Sequence, residues 1–433
     1  MSMKKAALHN LGCKVNEYEC ECMAHLLEEA GYEIVPFTEK ADVYVINTCS
    51  VTQIADKKSR QMLSRARSKN PDAIVVAAGC YVQTAKDKLE GSPNVDILIS
   101  NNKKEELVRL ISEYEKGQKN SAISNIACDR RYEDMFLAHT MDHTRAFIKV
   151  QDGCDQFCSY CIIPYARGRS RSRSIESVIS EVTHLASKGY KEVVITGIHL
   201  SSFGKDTGEK LIDLVKSVAA ISGIERVRFG SFEPCIMDEE FISELSSVKE
   251  VCPHFHLSLQ SGSDSVLKRM NRSYTADEYF KSVSILRKYF NNPAITTDVI
   301  CGFPGETDIE FEETIDFVRR VGFYEMHVFK YSKRPGTRAV KMPDQVREEL
   351  KHERSQRLIE LGESMRLDFL KLYDGVRTDV LFEEEDASGG ITGFTREYIK
   401  VRSTLGSHIC GSIKEGILTL DNKVGGLENF VMI

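Results

Sequence analysis

Two successive runs of short apolar segments, each followed by an amphipathic segment of helical period, constrain the fold of this chain most strongly. In residues 1–117 strands alternate with helices. The predicted strands are Lys5–Leu11, Val43–Ile46, Ile74–Ala78 and Asp96–Ile99, and the predicted helices are Glu17–Ala30, Asp56–Ser68, Gln83–Leu89 and Lys103–Lys116. This alternation predicts an α/β domain whose parallel sheet is covered by helices. Residues 118–143 lose the pattern and are predicted to be a linker.

A second alternation fills residues 144–373. Its predicted strands are Ala146–Val150, Glu192–Thr196, Arg226–Phe229, Phe255–Leu259, Thr296–Ile300 and Met326–Tyr331. Its predicted helices are Ile175–Ser187, Leu211–Ala220, Asp238–Ser247, Ala276–Tyr289, Asp308–Val321 and the charged segment Asp344–Tyr373. These units predict a partial (βα)6 barrel, in which chemistry gathers at the carboxyl ends of the strands.

Residues 374–433 change character to short β segments between turn signals. The predicted strands are Thr378–Phe382, Tyr398–Arg402 and Ile417–Leu420. Short strands at this spacing predict a small β-barrel.

The composition limits where the protein works. The 433 residues are 42% apolar and 28% charged, which is typical of a soluble globular protein. No apolar run is long enough to span a bilayer, and Met1–His9 lacks the apolar core of a signal peptide, so we expect a cytoplasmic protein without membrane contact. In that reducing compartment the 13 cysteines are expected to include metal ligands rather than disulfides. Because the net charge is −6, any nucleic-acid contact must come from local basic patches.

Three cysteines, Cys154, Cys158 and Cys161, follow the first strand of the predicted barrel at the spacing Cys-x3-Cys-x2-Cys. Three thiolates can hold three irons of a 4Fe–4S cluster and leave the fourth iron open for a reactant. A zinc site would need a fourth soft ligand at short spacing, and the nearest histidine that follows, His184, lies in a predicted helix. The pattern therefore favours the cluster.

A second set of three cysteines is dispersed in the amino-terminal domain. Cys13, Cys49 and Cys80 each follow a predicted strand directly. Because the carboxyl ends of parallel strands meet at one edge of a sheet, the three thiols are expected to converge. The sequence thus predicts a second three-cysteine cluster site, with unrelated small core residues as the alternative. The remaining cysteines are expected to be buried small apolar residues: Cys20, Cys22, Cys128, Cys235, Cys252, Cys301 and Cys410.

These motifs resemble those of the radical S-adenosylmethionine (SAM) methylthiotransferases over essentially the full length. The strings that carry the resemblance are Leu11–Asn16, Asn47–Thr52, Gly153–Arg169, Leu257–Ser263 and Gly302–Thr307. Within the family, Leu11–Asn16, Ser50–Thr52, Ala55–Gln61 and Gln151–Gly153 are most similar to the branch that acts on threonylcarbamoyladenosine in tRNA.

The resemblance implies an activity and its partners. It implies two 4Fe–4S clusters and SAM as cofactors, a carboxyl-terminal TRAM β-barrel, and insertion of a methylthio group at carbon 2 of threonylcarbamoyladenosine next to the anticodon. The partners it implies are the tRNA anticodon stem-loop, an electron donor such as flavodoxin or ferredoxin, and a sulfur source. Two alternatives share the chemistry and modify isopentenyladenosine in tRNA or a ribosomal-protein aspartate. An alternative of another class is a non-catalytic zinc protein that binds RNA, which metal content would distinguish.

Five residues near the first three cysteines are candidates for SAM binding. The resemblance implies that Tyr160 lies near the adenine and that the backbone of Gly197 approaches the methionine amino group. Ser231, Glu233 and Gln260 are polar residues at predicted strand ends, where ligands bind in barrels. The alternatives are loop packing for Tyr160, a turn for Gly197, and surface or capping roles for the other three.

Two groups of basic residues are candidates for RNA contact. In an extended chain, Arg167, Arg169, Arg171 and Arg173 would present four guanidinium groups on one edge, which suits phosphates. In the predicted β-barrel, Arg396, Tyr398, Lys400 and Arg402 share strand parity, which suits an RNA backbone and a stacked base. The alternative for the arginine series is a solvated basic loop, and the acidic run Glu383–Asp386 departs from a basic RNA module.

Overall fold

The structure is a computed structural model that describes residues 3–140, 144–403, 407–420 and 428–432. Residues 1–2 of the predicted amino-terminal domain and 141–143 of the predicted linker therefore lie outside the described residues. So do residues 404–406, 421–427 and 433 of the predicted carboxyl-terminal barrel. No helix in the described ranges is both long and apolar enough to cross a membrane.

The amino-terminal part forms the predicted parallel sheet with helices. The strands in spatial order are Tyr32–Ile34, Lys4–Asn10, Val43–Thr48, Ile74–Gly79 and Ile97–Ile99. The helices are Lys14–Glu29, Gln53–Lys69, Cys80–Thr84, Lys86–Leu89 and Leu107–Glu115, the last preceded by a 3₁₀ turn at Lys104–Glu106. The short edge strand Tyr32–Ile34 was not predicted. The predicted helix Gln83–Leu89 is instead two short helices that meet at Ala85, whose φ of −140° is not helical.

The central part forms the six parallel strands that the predicted partial barrel requires, with Arg226–Phe229 and Ser231–Phe232 counted as one strand interrupted at Gly230. One four-stranded sheet has the order Arg171–Ser172, Ala146–Asp152, Glu192–Gly197 and Arg226–Phe229. The other has the order Ser231–Phe232, His254–Leu257, Ala294–Cys301 and Glu325–Lys330. The two sheets are continuous along the chain, because only Gly230 separates Phe229 from Ser231. The short antiparallel strand Arg171–Ser172 was not predicted.

Helices follow these strands, and capping residues mark where some of them begin. Their bounds are Ile163–Arg167, Ile175–Ser187, Leu211–Ala219, Glu239–Ser246, Asp264–Arg269, Ala276–Tyr289, Asp308–Val321 and Glu348–Lys371. Short 3₁₀ turns lie at Leu200–Ser202, Pro234–Ile236 and Arg338–Lys341. Two helices begin with complete capping boxes, Thr275 with Glu278 and Thr307 with Glu310. Each box satisfies backbone N–H groups that the first turn leaves unpaired.

The carboxyl-terminal part is the predicted small barrel, closed by five strands. In barrel order they are Arg377–Glu385, Ile391–Thr395, Lys400–Ser403, Glu428–Met432 and Ile413–Thr419, and a 3₁₀ turn lies at Ser407–Ile409. Ile391–Thr395 and Glu428–Met432 were not predicted. Tyr398, predicted to begin a strand, lies before one, and its φ is +69°.

The predicted linker is packed rather than extended. Met135 and Leu137 are buried in the core of the central part. The hydroxyl of Tyr18, on the first helix, donates to the Met135 carbonyl at 2.7 Å, and the Leu137 N–H donates to Glu181 at 2.6 Å. The segment thus joins the amino-terminal helix Lys14–Glu29 to the barrel helix Ile175–Ser187.

Candidate active site

The first cysteine set, here called the loop triad (Cys154, Cys158 and Cys161), lies at the carboxyl end of the strand Ala146–Asp152. Gly153 turns the chain there with a φ of +73°, and a Cβ at this position would collide with the backbone of Arg169. The N–H of Cys154 donates to the Gly168 carbonyl at 3.0 Å, and the N–H of Cys161 donates to the Cys158 carbonyl at 3.0 Å. The three thiols are therefore presented by one tightly bonded loop.

The loop triad lines a cavity of about 360 Å³. Burial, together with the neighbouring thiol of Cys158, raises the pKa values of Cys154 and Cys161 to about 12. Buried neighbouring thiols ionise only when a cation compensates the charge, and metal coordination deprotonates a thiol outright. The donor set of three soft sulfurs in one cavity therefore fits an iron–sulfur cluster.

Arg272 contacts this triad and was not predicted. Its Nη1 donates to the Cys158 Sγ at 3.1 Å, and its Nη2 donates to Glu233 at 2.6 Å. Next to it, the amide of Asn271 donates to the carbonyls of Gln156 and Phe157, which holds the cysteine loop. Nothing in the local sequence distinguishes Arg272, because its role depends on a contact with a residue 114 positions away.

Four of the five residues predicted to bind SAM line the same cavity: Tyr160, Ser231, Glu233 and Gln260. Glu233 is buried and also accepts a hydrogen bond from Gln156 Nε2 at 3.2 Å. Burial alone would raise its pKa, but His199 and Arg272 lower that pKa below the usual value. Gln260 has a φ of +70°, a strained conformation for a residue other than glycine, and such strain often marks functional sites.

Gly197 is not part of the cavity lining, although Ile198 and His199 are. A Cβ on Gly197 would lie 2.9 Å from the side chain of Gln151. The structure thus gives this glycine a packing reason, and its predicted approach to the methionine amino group stays a prediction.

The second cysteine set, here called the strand-end triad (Cys13, Cys49 and Cys80), gathers at one edge of the amino-terminal sheet. Register places Asn10 opposite Asn47 and Thr48 opposite Gly79, so the strands that precede the three cysteines end together. Burial, then the neighbouring Cys80 and Cys13, raise the pKa of Cys49 to about 11. The amide of Asn101 donates to the Cys80 Sγ at 3.4 Å.

The helix Ile163–Arg167 connects the surroundings of the two triads. This helix follows Cys161, and its Ala166 carbonyl accepts at 2.8 Å from the same Asn101 amide that contacts Cys80. In addition, Val51 and Thr52, just after Cys49, line the cavity of the loop triad. The amino-terminal domain therefore forms part of the wall of the first site.

A buried network of charges joins the amino-terminal domain to the central part. Glu19 accepts hydrogen bonds from Lys149 at 2.7 Å and from Arg167 at 2.9 and 3.0 Å, and it pairs with Lys104 at 3.1 Å. Asp152 accepts from the same Arg167 at 3.0 Å. Burial alone would raise the pKa values of both carboxyls, but the surrounding cations hold both well below their usual range.

This network corrects the expectation of four arginines along one exposed edge. Arg167, Arg171 and Arg173 are almost completely buried, and Arg173 pairs with Glu181 at 2.5 Å and Asp134 at 2.7 Å. Only Arg169 leaves a large part of its side chain, 44%, exposed. The chain is extended only briefly here, and the preceding short helix turns the arginines into the domain interface.

The basic residues of the small barrel do not form an open face either. Tyr398 stacks between His254 and Phe394, and Arg396 donates to the Val251 carbonyl at 3.0 Å. Lys400 lies 6.0 Å from the ring of Phe394, and Arg402 pairs with Asp386 at 2.5 Å. Tyr398 and Arg396 thus attach the barrel to the central part.

The seven other cysteines divide into two groups. Cys20, Cys22, Cys252 and Cys301 are buried, as predicted. The expectation is wrong for Cys128, Cys235 and Cys410, which are exposed because they lie in turns outside the cores.

Comparison with known proteins agrees with this architecture. Residues 148–318 match the radical SAM superfamily, and residues 5–100 match the uncharacterized protein family UPF0004. A cobalamin-binding radical SAM methyltransferase, TsrM from Kitasatospora setae, has a similar fold (TM-score 0.60, 15% identity, 78% of this chain and 77% of that chain). The family match and the fold are those of the radical SAM class.

Curated relatives narrow the class further. The chain is 42% identical to the threonylcarbamoyladenosine tRNA methylthiotransferase MtaB of Bacillus subtilis, over 92% of this chain and 90% of the relative. It is 39% identical to the Aquifex aeolicus protein of the same name, over 92% and 96%. It is 37% identical to the tRNA-2-methylthio-N(6)-dimethylallyladenosine synthase of Pelotomaculum thermopropionicum, over 91% and 90%. The chain belongs to the radical SAM methylthiotransferases, enzymes that use SAM and 4Fe–4S clusters.

Proposed function

We propose that this enzyme inserts a methylthio group at carbon 2 of threonylcarbamoyladenosine next to the anticodon of tRNA. The observation that carries the proposal is the pair of three-cysteine sites at one domain interface: Val51 and Thr52, just after Cys49, line the cavity of the loop triad, and Asn101 bonds both Cys80 and the helix that follows Cys161. A base bound between them would lie near both a source of radicals and a source of sulfur. Relatives that bear the name of this activity support the nucleoside.

Each triad is proposed to hold one 4Fe–4S cluster. Cys154, Cys158 and Cys161 would hold the cluster that binds SAM, and Cys13, Cys49 and Cys80 would hold the second. When bound, the first cluster supplies the electron that cleaves SAM to a radical able to take hydrogen from an unactivated carbon, chemistry that side chains cannot perform. An electron donor such as flavodoxin or ferredoxin, a sulfur source and a cytoplasmic location complete the proposal.

The chain's own residues are proposed to position SAM and shape its surroundings. Glu233, fixed by Arg272 and Gln156, presents a buried carboxylate that suits the ammonium or ribose of SAM. Tyr160, Ser231 and Gln260 line the remaining wall, and the apolar Ile162 and Ile300 limit access of water. Excluding water strengthens each polar contact in such a cavity.

The RNA is proposed to approach at the mouth of this cavity. Arg169, Tyr165 and Val51 are exposed there beside the loop triad. A guanidinium group and an aromatic ring suit a phosphate and an unstacked base. The small barrel, proposed to be a TRAM domain, would contribute through residues other than Arg396 and Tyr398, which pack against the central part.

The nucleoside is tested by mass analysis of tRNA from a strain that lacks this gene. Loss of the methylthio form of threonylcarbamoyladenosine alone is expected. A second candidate, isopentenyladenosine, is favoured by relatives named for that reaction, and selective loss of its methylthio form would replace our choice. A change in neither nucleoside would point to a protein substrate such as the ribosomal aspartate.

A further inference from the structure

Three potential metal ligands converge on the barrel wall beyond the loop triad. They are His256 on the strand His254–Leu257, Asp298 on Ala294–Cys301 and His327 on Glu325–Lys330. Register places Asp298 directly opposite His327 and His256 opposite Thr296. One ligand atom from each of the three residues lies within 4.8 Å of the others. The arrangement is therefore held by the backbone of three adjacent strands.

The hydrogen bonds around His256 leave one ring nitrogen without a hydrogen-bond partner. Its Nδ1 lies 3.0 Å from the Thr296 Oγ1, which fixes the ring, while its buried Nε2 makes no hydrogen bond. Asp298 Oδ2 lies 3.4 Å from that Nε2. Within the described ranges, neither the Asp298 carboxylate nor the His327 ring has a hydrogen bond of its own. When Nδ1 accepts from the Thr296 hydroxyl, Nε2 carries the ring proton toward Asp298; when Nδ1 donates to Thr296, two acceptor atoms face each other, and a cation between them satisfies both.

We propose that His256, Asp298 and His327 bind a divalent transition metal ion of the Zn²⁺ or Fe²⁺ class. Two imidazoles and one carboxylate are a frequent ligand set for such ions, and the bond from Thr296 orients the first imidazole as an outer-shell partner does. Around Zn²⁺, donor atoms about 2.0–2.1 Å from the metal lie roughly 3.3 Å apart. Nε2 of His256 and Oδ2 of Asp298 already have this separation, and the exposed His327 can rotate inward.

The site opens toward the cavity of the loop triad. Asp298 lines that cavity together with Ser258, Gln260 and Ile300. Because the protein ligands come from one wall, the remaining coordination positions face the space beside the proposed SAM pocket. They would hold water or an oxygen ligand from a bound molecule. The site is distinct from both cysteine triads and does not depend on the proposed nucleoside.

The proposal is tested by zinc uptake, a measurement that does not require turnover. Full-length protein with both clusters reconstituted is dialysed anaerobically against increasing Zn²⁺, and zinc and iron are counted by mass spectrometry. We expect one zinc per wild-type chain, with iron unchanged. His327→Gln should lose that zinc at concentrations that saturate the wild type. Asp298→Asn, nearly isosteric, should do the same, and Thr296→Val should weaken binding by about 10–100-fold.

A matched control uses a second group of two histidines and a carboxylate in the described residues, His25, Glu28 and His139, which has the same pattern of burial. The double change His25→Gln with His139→Gln should leave the zinc count and affinity of the wild type unchanged. The exposure of His327 makes loss of the fold in His327→Gln unexpected, and circular dichroism with iron content checks this. No zinc on the wild type, or zinc retained by His327→Gln and Asp298→Asn, would mean that His256 and Asp298 form a simple ion pair.

Discussion

The loop triad and the strand-end triad each offer three cysteine sulfurs, but the fold brings these sulfurs together in opposite ways. Cys154, Cys158 and Cys161 come from one loop whose shape is set by local backbone bonds and by Gly153. Cys13, Cys49 and Cys80 meet only because three strands of a parallel sheet end at one edge. The first site depends on a local turn and the second on a completed domain. A damaged sheet should therefore disable the second site and leave the first.

The largest expected effect separates the two triads by function. Cys154→Ala should abolish SAM cleavage, because it removes a proposed ligand of the cluster that binds SAM. The triple change Cys13→Ala, Cys49→Ala and Cys80→Ala should keep SAM cleavage and lose methylthiolation. Iron content after anaerobic reconstitution should fall from about eight to about four per chain in the triple variant. SAM cleavage at the wild-type rate in Cys154→Ala would refute the ligand assignment.

The next largest effect is expected from breaking the buried network of charges that joins the amino-terminal domain to the central part. Arg167→Ala removes the guanidinium that bonds both Glu19 and Asp152, and it leaves buried carboxylates undercompensated. We expect a destabilisation of about 3 kcal/mol in urea unfolding, since breaking a buried ion pair leaves an uncompensated charge. Arg169→Ala is the matched control, because its exposed pair with Asp155 should contribute less than about 1 kcal/mol. Equal effects of the two changes would contradict a structural role for the network.

A smaller effect tests the local turn of the loop triad. Gly153→Ala forces a Cβ into the backbone of Arg169 at positive φ, whereas Gly189→Ala has a φ of +95° but open space around it. Gly153→Ala should therefore cost roughly 2 kcal/mol more than Gly189→Ala in thermal unfolding. It should also lose the iron of the loop triad alone. Retention of all iron in Gly153→Ala would show that the turn is not needed to present the cysteines.

The smallest expected effect concerns electron transfer at one triad. Arg272→Gln removes the cationic N–H donor to the Cys158 Sγ, and weaker hydrogen bonding to sulfur lowers the reduction potential of a cluster. A loss of about 1 kcal/mol of hydrogen-bond energy in the reduced cluster corresponds to a fall in potential of roughly 40 mV for one electron. Redox titration followed by electron paramagnetic resonance should show the shift in only one cluster. The control is Arg269, which pairs with Glu310 and contacts no sulfur in the described residues. Arg269→Gln should therefore leave both potentials unchanged.

Much of the fold could be predicted from periodicity, and the misses have local physical reasons. The helices Ile175–Ser187, Ala276–Tyr289 and Asp308–Val321 have the predicted bounds, because capping residues mark their starts. The strand Tyr32–Ile34 was missed because three residues carry too little pattern. Ile391–Thr395 was missed because it includes Gly393 and follows Gly389 and Gly390, which weaken any strand signal.

The sequence by itself determined the chemistry that the chain offers: two sets of three cysteines, each placed directly after strands that alternate with helices. Spacing along the chain suffices for that, because residue type and periodicity are local properties. Only the tertiary structure decided what the charged residues do. Arg167, Arg171 and Arg173 look like an exposed basic edge in the sequence, yet they are buried where the amino-terminal helix meets the barrel. Arg167 and Arg173 bond to residues of the amino-terminal helix more than a hundred positions away, and contacts at such separation leave no local pattern in the sequence.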